Sequence, residues 1–100
     1  MVKLIALYRK PDDVGAFDDH YFQVHIPLVK KMPGLKKLEI TRITGAPIGG
    51  TKYHMMAEMY FDDLDSMNAS AASPEGKAAT KNLMAFAANL VTMFHGELTE

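Results

Sequence analysis

Hydrophobic and polar positions divide this chain into short runs of two kinds. Val2 to Arg9 is apolar and ends at Lys-Pro-Asp-Asp, a turn and helix-start signal, so it predicts a first strand. Its two faces, Leu4, Ala6, Tyr8 and Ile5, Leu7, are both apolar, which predicts cover on both sides. Phe17, Tyr21, Val24 and Leu28 then recur at spacings of four, three and four, the pattern of a helix with one apolar stripe. Asp12 or Asp13 caps that helix, and Asp18, Asp19, Gln23, Lys30 and Lys31 form its wet side. Pro27 predicts a kink or restart, and Pro33-Gly34 stops the helix after about Met32.

Leu35 to about Ala46 predicts a second strand, with Leu38 and Ile40 alternating with Lys37, Glu39 and Thr41. A glycine-rich hairpin loop, Gly45 to Thr51, leads to a third strand from Lys52 to Asp62. Tyr53, Met55, Ala57, Met59 and Phe61 share one face of it, and His54, Met56, Glu58 and Tyr60 share the other. Asp62-Asp63 caps a short helix with Leu64 and Met67 inward. Ser73-Pro74-Glu75 restarts it as a helix with a stripe of Ala79, Leu83 and Phe86, ending near Ala88. Asn89 to Leu98 predicts the last strand.

The predicted order is strand, helix, strand, strand, helix, strand. This is the ferredoxin-like α+β pattern, a four-stranded antiparallel sheet with strands one and three in the centre. Both helical units lie on one face. The apolar character of strands one and three on their second side predicts that another copy covers it, so a homodimer is expected.

The chain's 100 residues predict a single domain, residues 1–100. Its net charge of −1, with acids and bases interspersed, argues against a nucleic-acid footprint. There is no cysteine, which excludes disulfides, thiolate ligands and a cysteine nucleophile. The N-terminal apolar run is too short for a signal peptide or membrane span, so the expectation is a cytoplasmic protein with no membrane partner. The glycines of the hairpin loop lack the Gly-Lys-Ser/Thr helix start of a phosphate cradle. No His-x₃-His, clustered carboxylate–histidine spacing or nucleophile-elbow serine occurs, so neither metal nor cofactor is expected.

The candidate chemistry falls to His25, with Tyr21 four residues earlier on the same helix face. A histidine near its reference pKa of about 6.5 serves as acid or base, and a tyrosine hydroxyl holds a substrate oxygen. The competing role for His25 is structural, its ring bonded to carbonyls that Pro27 leaves without donors. Tyr8, His54 and Phe86 form a second, substrate-binding set, because antiparallel pairing brings them to one end of the sheet. His25 belongs toward the opposite end, within reach of His95, and His20 falls on the wet side of its helix.

Lys3–Lys10, Tyr21-Phe-Gln-Val-His-Ile-Pro-Leu28, Pro33-Gly34-Leu35, Tyr53–Asp62 and Ser73-Pro-Glu-Gly76 together resemble the EthD family. The resemblance implies the dimeric α+β barrel, in which two ferredoxin-like sheets pair. It also implies a small-molecule ligand and a catabolic role, either oxidoreductase-linked or as a cofactor-independent enzyme on a small apolar or aromatic oxygenated compound. The alternative is a non-catalytic ligand-binding or accessory protein for a partner oxygenase.

Overall fold

The structure, a computed structural model, covers residues 1–100. β1 (Val2–Arg9) leads through α1 (Val14–His20), a π-helical turn (Tyr21–His25) and α2 (Ile26–Val29) to β2 (Lys37–Arg42). β3 (Tyr53–Phe61), α3 (Leu64–Ala72), α4 (Pro74–Ala87) and β4 (Val91–Glu97) complete the chain. The strands form one antiparallel sheet in the order β2-β3-β1-β4, with β1 and β3 central and the helices packed on one face, the ferredoxin-like arrangement expected.

Strand β2 is shorter than the predicted 35–46. Its pairing still reaches one residue beyond each end, through Lys36 N–H to Tyr60 O at 2.8 Å and Ile43 N–H to His54 O at 2.9 Å. Gly34, at φ +78°, takes the left-handed turn that steers the chain from helix to strand. Capping follows the predicted residues. Asp13 accepts from Ala16 N–H at 3.0 Å, Asp63 from Ser66 N–H at 2.7 Å and Ser73 from Gly76 N–H at 3.0 Å. In α3, Met67 points inward as expected, but Leu64, the first residue of the helix, is exposed. In α4 the buried stripe is Ala79, Leu83 and Ala87, with Phe86 at its margin.

The first helical unit departs from expectation in a way that decides the site. The irregularity is not at Pro27 but in the turn before it. Pro27 has no N–H to give the Gln23 carbonyl, and its ring crowds that carbonyl. The preceding turn widens, and Ile26 N–H reaches Tyr21 O, five residues back. One extra residue per turn shifts every later position by one. Val24, predicted inward, is exposed, and His25 takes its place; Val29 is buried where Leu28 was predicted.

The sheet face under the helices carries Ala6, Tyr8, Met55, Ala57, Met59 and Phe61, all buried. The opposite face is mixed rather than apolar throughout. Ile5, Leu7 and Met56 are half-buried and Phe94 is exposed. Beside them, Lys3 pairs with Glu58 at 2.6 Å, and the Tyr60 hydroxyl donates to Glu39 at 2.6 Å. Glu39 and Glu58 sit directly opposite each other, so these two partners relieve a like-charge pair.

Helices α3 and α4 meet at Gly76. A Cβ there would collide with the carbonyl oxygen of Ser70 and lie 2.8 Å from that of Ala71, both backbone atoms that cannot rotate away. Gly76→Ala therefore destabilises the fold by about 1–3 kcal/mol despite alanine's better helix propensity. Urea unfolding monitored by circular dichroism should show a lower midpoint with an unchanged slope.

Candidate functional site

A cavity of about 140 Å³ lies between the helical face of the sheet and the helices. Ala6, Ala57 and Met59 form its floor, Ile26, Val29 and Met32 one wall, and Ala79 and Leu83 of α4 another. The polar groups on it are few: Tyr8 from β1, Tyr21 and His25 from the π-turn, and Thr80 from α4. No charged side chain lines it, so it offers no counter-charge to a carboxylate or phosphate. No three His, Asp or Glu side chains converge anywhere in the structure to hold a metal ion.

The π-turn brings the two predicted catalytic residues together. Tyr21 and His25 have ring centroids 5.8 Å apart, and both are buried. Tyr21 stacks on Phe17 at 5.6 Å and meets Tyr8 edge-on at 5.2 Å. Burial pushes both phenols well above the usual tyrosine range, and each hydroxyl acts on the other across this contact. Even so, Tyr21 Oη is sealed from solvent without an aligned hydrogen-bond partner. A buried hydroxyl left unpaired costs about 1–3 kcal/mol, so it needs a reason.

His25 does not bridge to the carbonyls near Pro27. Its Nδ1 lies 3.1 Å from Asn82 Oδ1 on α4, and its Nε2 makes no hydrogen bond within the chain. Desolvation lowers its pKa below the ordinary histidine value, only partly offset by Asn82 and reinforced by nearby His20. His25 is therefore neutral at neutral pH and carries a free lone pair. His20, expected on the wet side, is half-buried. Its Nε2 reaches the same Asn82 oxygen at 3.2 Å, and its ring lies 4.4 Å from Phe86.

Tyr8, His54 and Phe86 do gather, but around Phe17 rather than around the cavity. Their ring centroids lie 5.5, 5.6 and 5.6 Å from that of Phe17. Of the three, only Tyr8 also lines the cavity. His54 is turned by a bulge. Pairing passes from Tyr8↔Met55 to Arg9↔Tyr53, which leaves His54 as the extra residue and aims it at α1. Strand parity groups His54 with Met56, Glu58 and Tyr60 on the other face, and the bulge breaks that grouping. Its Nε2 lies 2.8 Å from Asp18, which also accepts from Arg42 at 2.6 Å. Burial alone would raise the Asp18 carboxyl, but His54 and Arg42 prevail and hold it low. His25 and His54 are not at opposite ends, since both border the same aromatic cluster, His54 through Phe17 and His25 through Tyr21. His95 stays exposed on β4.

Asn82 and Asp18 are the histidines' hydrogen-bond partners, and the sequence did not single them out. Asn82 carried a readable signal: asparagine is a poor residue for a helix interior unless its side chain has a partner. Asp18 carried none, because acids on helix surfaces are common.

The EthD domain pattern matches residues 11–89. The chain belongs to the EthD family. An EthD family protein of Bacillus halodurans has the same structure at a TM-score of 0.96 and 49 % identity, with 99 % of each chain covered. An uncharacterized 11.0 kDa protein of Rhodococcus erythropolis, from the thcB–thcC intergenic region, is 31 % identical over 93 % of this chain and 90 % of its own. The cofactor-independent oxygenase SnoaB of Streptomyces nogalater shares the fold at 18 % identity and a TM-score of 0.65, covering 99 % of this chain and 91 % of that one. Several other structures of this fold are of dimeric ferredoxin-like proteins. No helix of this EthD-family chain is long and apolar enough to cross a membrane.

The lowered pKa of His25 predicts a pH dependence. Just below the unfolded value of about 6.5, the unfolded chain binds a proton at this residue and the folded protein does not. Stability therefore falls as pH drops from about 7.5 through 6.5 and levels off below the folded-state value. Urea unfolding across that range should show the loss, and His25→Gln should lack it. Asp18, whose window lies lower, does not interfere.

Proposed function

We propose that this protein is a small-molecule catabolic protein acting as a homodimer. Its cavity takes a compact, apolar or aromatic, oxygenated compound, and His25 moves a proton on it without a bound cofactor. The observation that carries this reading is the free Nε2 of neutral His25 on an apolar cavity that Tyr21 also lines, its own hydroxyl buried without an aligned partner. The cavity is close to the roughly 150 Å³ at which an apolar site accepts benzene, so a single ring fits it. The absence of charge in its lining favours an uncharged ligand.

In this reading the ligand's acidic X–H proton passes to His25 Nε2 and the bonding pair stays on the ligand as an enolate or phenolate. Tyr21 remains a donor at every working pH, since burial keeps its phenol protonated, and its hydroxyl binds the oxygen on which charge develops. The apolar walls exclude water and strengthen both contacts. Membership of the EthD family and a shared fold with a cofactor-independent oxygenase agree with such chemistry.

Cyclohexanone is a suitable neutral probe. Wild-type protein should accelerate exchange of its α-hydrogens for solvent deuterium, and folded His25→Gln should not. Equal rates for the two would end the case for acid–base catalysis and leave a binding or accessory module. Tyr21→Phe removes an unpaired buried hydroxyl. It should raise stability by about 1 kcal/mol while weakening phenol binding by a factor of about ten, the reverse of what a structural tyrosine would do. Calorimetry and NMR titration measure the two effects.

In this reading the second copy covers the open sheet face, where Ile5, Leu7, Met56 and Phe94 form the apolar part. Sedimentation equilibrium at micromolar concentration should give a dimer. Phe94→Glu should weaken it by about tenfold or more, since apolar anchors dominate such interfaces.

A further inference from the structure

The same π-turn that buries His25 also brings His20 to its side. The two histidines are five residues apart, and a five-residue hydrogen-bonded turn sets such positions over one another, where a regular helix would splay them. Both rings then meet one acceptor on α4. Asn82 Oδ1 lies 3.2 Å from His20 Nε2 and 3.1 Å from His25 Nδ1. Phe86, one turn along α4 from Asn82, packs against both rings, at 4.4 and 5.2 Å.

A carbonyl oxygen has two lone pairs and no proton, so it accepts from both rings. That requirement fixes a different tautomer on each. His20 must carry its proton on Nε2 and His25 must carry its proton on Nδ1. The His25 form is the minor one for free histidine, and it leaves Nε2 as the unprotonated nitrogen. Without Asn82, nothing in the chain would hold the ring in that state, because His25 has no other hydrogen-bond partner.

We infer that Asn82 is the positioning residue of the site: it locks neutral His25 in its Nδ1–H tautomer, so that the ring nitrogen left free for the cavity's ligand is a proton acceptor. This rests on the reading of the cavity as a ligand site and refines it. The ligand must present a donor, a phenol or enol O–H or an activated C–H, at His25. A ligand offering only acceptors, such as an ether or ester, would leave the Nε2 lone pair unmatched. Tyr21 supplies the complementary donor, so the preferred occupant carries donor and acceptor on one ring. His20 has the supporting role of holding the Asn82 oxygen in place from the solvent side.

The test reads the tautomer in the free protein, so its outcome is independent of whether a ligand or a reaction is ever found. Long-range ¹H–¹⁵N correlation spectra of histidine-labelled protein at about pH 8 distinguish protonated from unprotonated ring nitrogens. Wild type should show an unprotonated Nε2 on His25 and a protonated Nε2 on His20. Asn82→Leu, a good helix former, should return His25 to the Nε2–H form, and Asn82→Asp, which keeps an acceptor, should preserve Nδ1–H. His20→Ala should leave the His25 tautomer unchanged. An Nε2–H tautomer on His25 in wild type, which needs no variant to fold, would overturn the inference. So would an unchanged Nδ1–H tautomer in folded Asn82→Leu. In binding, phenol should lose at least tenfold affinity with Asn82→Leu, whereas anisole, its methyl ether, should bind the variant at least as well as wild type, because the Nε2–H form can donate to the ether oxygen. Equal losses for both probes would assign Asn82 to packing alone.

Discussion

Pro27 cannot donate a backbone hydrogen bond, and the helix before it absorbs that loss by taking one residue more into a single turn. The chain after Tyr21 is rotated by one position as a result. His25, Ile26 and Val29 face the sheet, while Val24 faces solvent. In an unbroken helix the cavity wall would have been valine and leucine, and the histidine would have lain at its edge. The local backbone irregularity is thus what converts an apolar stripe into a stripe with a base in it. It also makes the contact with α4, because only the widened turn lets two histidines five residues apart share Asn82.

The surroundings of that turn combine a well-packed cluster with two poorly satisfied polar groups. Phe17 sits at the hub of Tyr8, Tyr21, His54 and Phe86, which pack around it as one aromatic cluster beside the site. Within it, Tyr21 keeps a hydroxyl with no aligned partner and His25 keeps a desolvated ring. Both conditions are unfavourable to the isolated fold, and the proposed ligand would relieve them. Asp18, His54 and Arg42 do the opposite. Their polar groups are mutually paired, and they tie α1 to the bulged start of β3, a structural clamp between helix and sheet.

The sheet separates these tasks by face. Its helical face is apolar and carries the cavity. Its open face combines the half-buried Ile5, Leu7 and Met56 with the compensated Glu39–Glu58 pair, a mixture that suits association with specific register better than a uniformly greasy surface would.

Much of this was legible in the residues alone. Strand alternation in β1 and β3, the caps at Asp13, Asp63 and Ser73, and the order of elements determine the four-stranded antiparallel sheet, because period, capping and crossover handedness are local or near-local rules. Tyr21 and His25 stand out for the same reason, as polar side chains beside an apolar helical stripe ahead of a proline. Three features belong to the tertiary structure. Which helical residues face inward depended on where the strain of Pro27 was taken up, and a proline announces a defect without stating its position. The side of the sheet His54 faces depended on a bulge, which cancels the two-residue period that parity relies on. The partner of His25 depended on α4 packing across the π-turn, a contact between residues 57 positions apart in the chain. Periodic patterns carry no information about an inserted residue or a distant acceptor. Those are settled only when the elements pack and each buried polar atom finds, or fails to find, its partner.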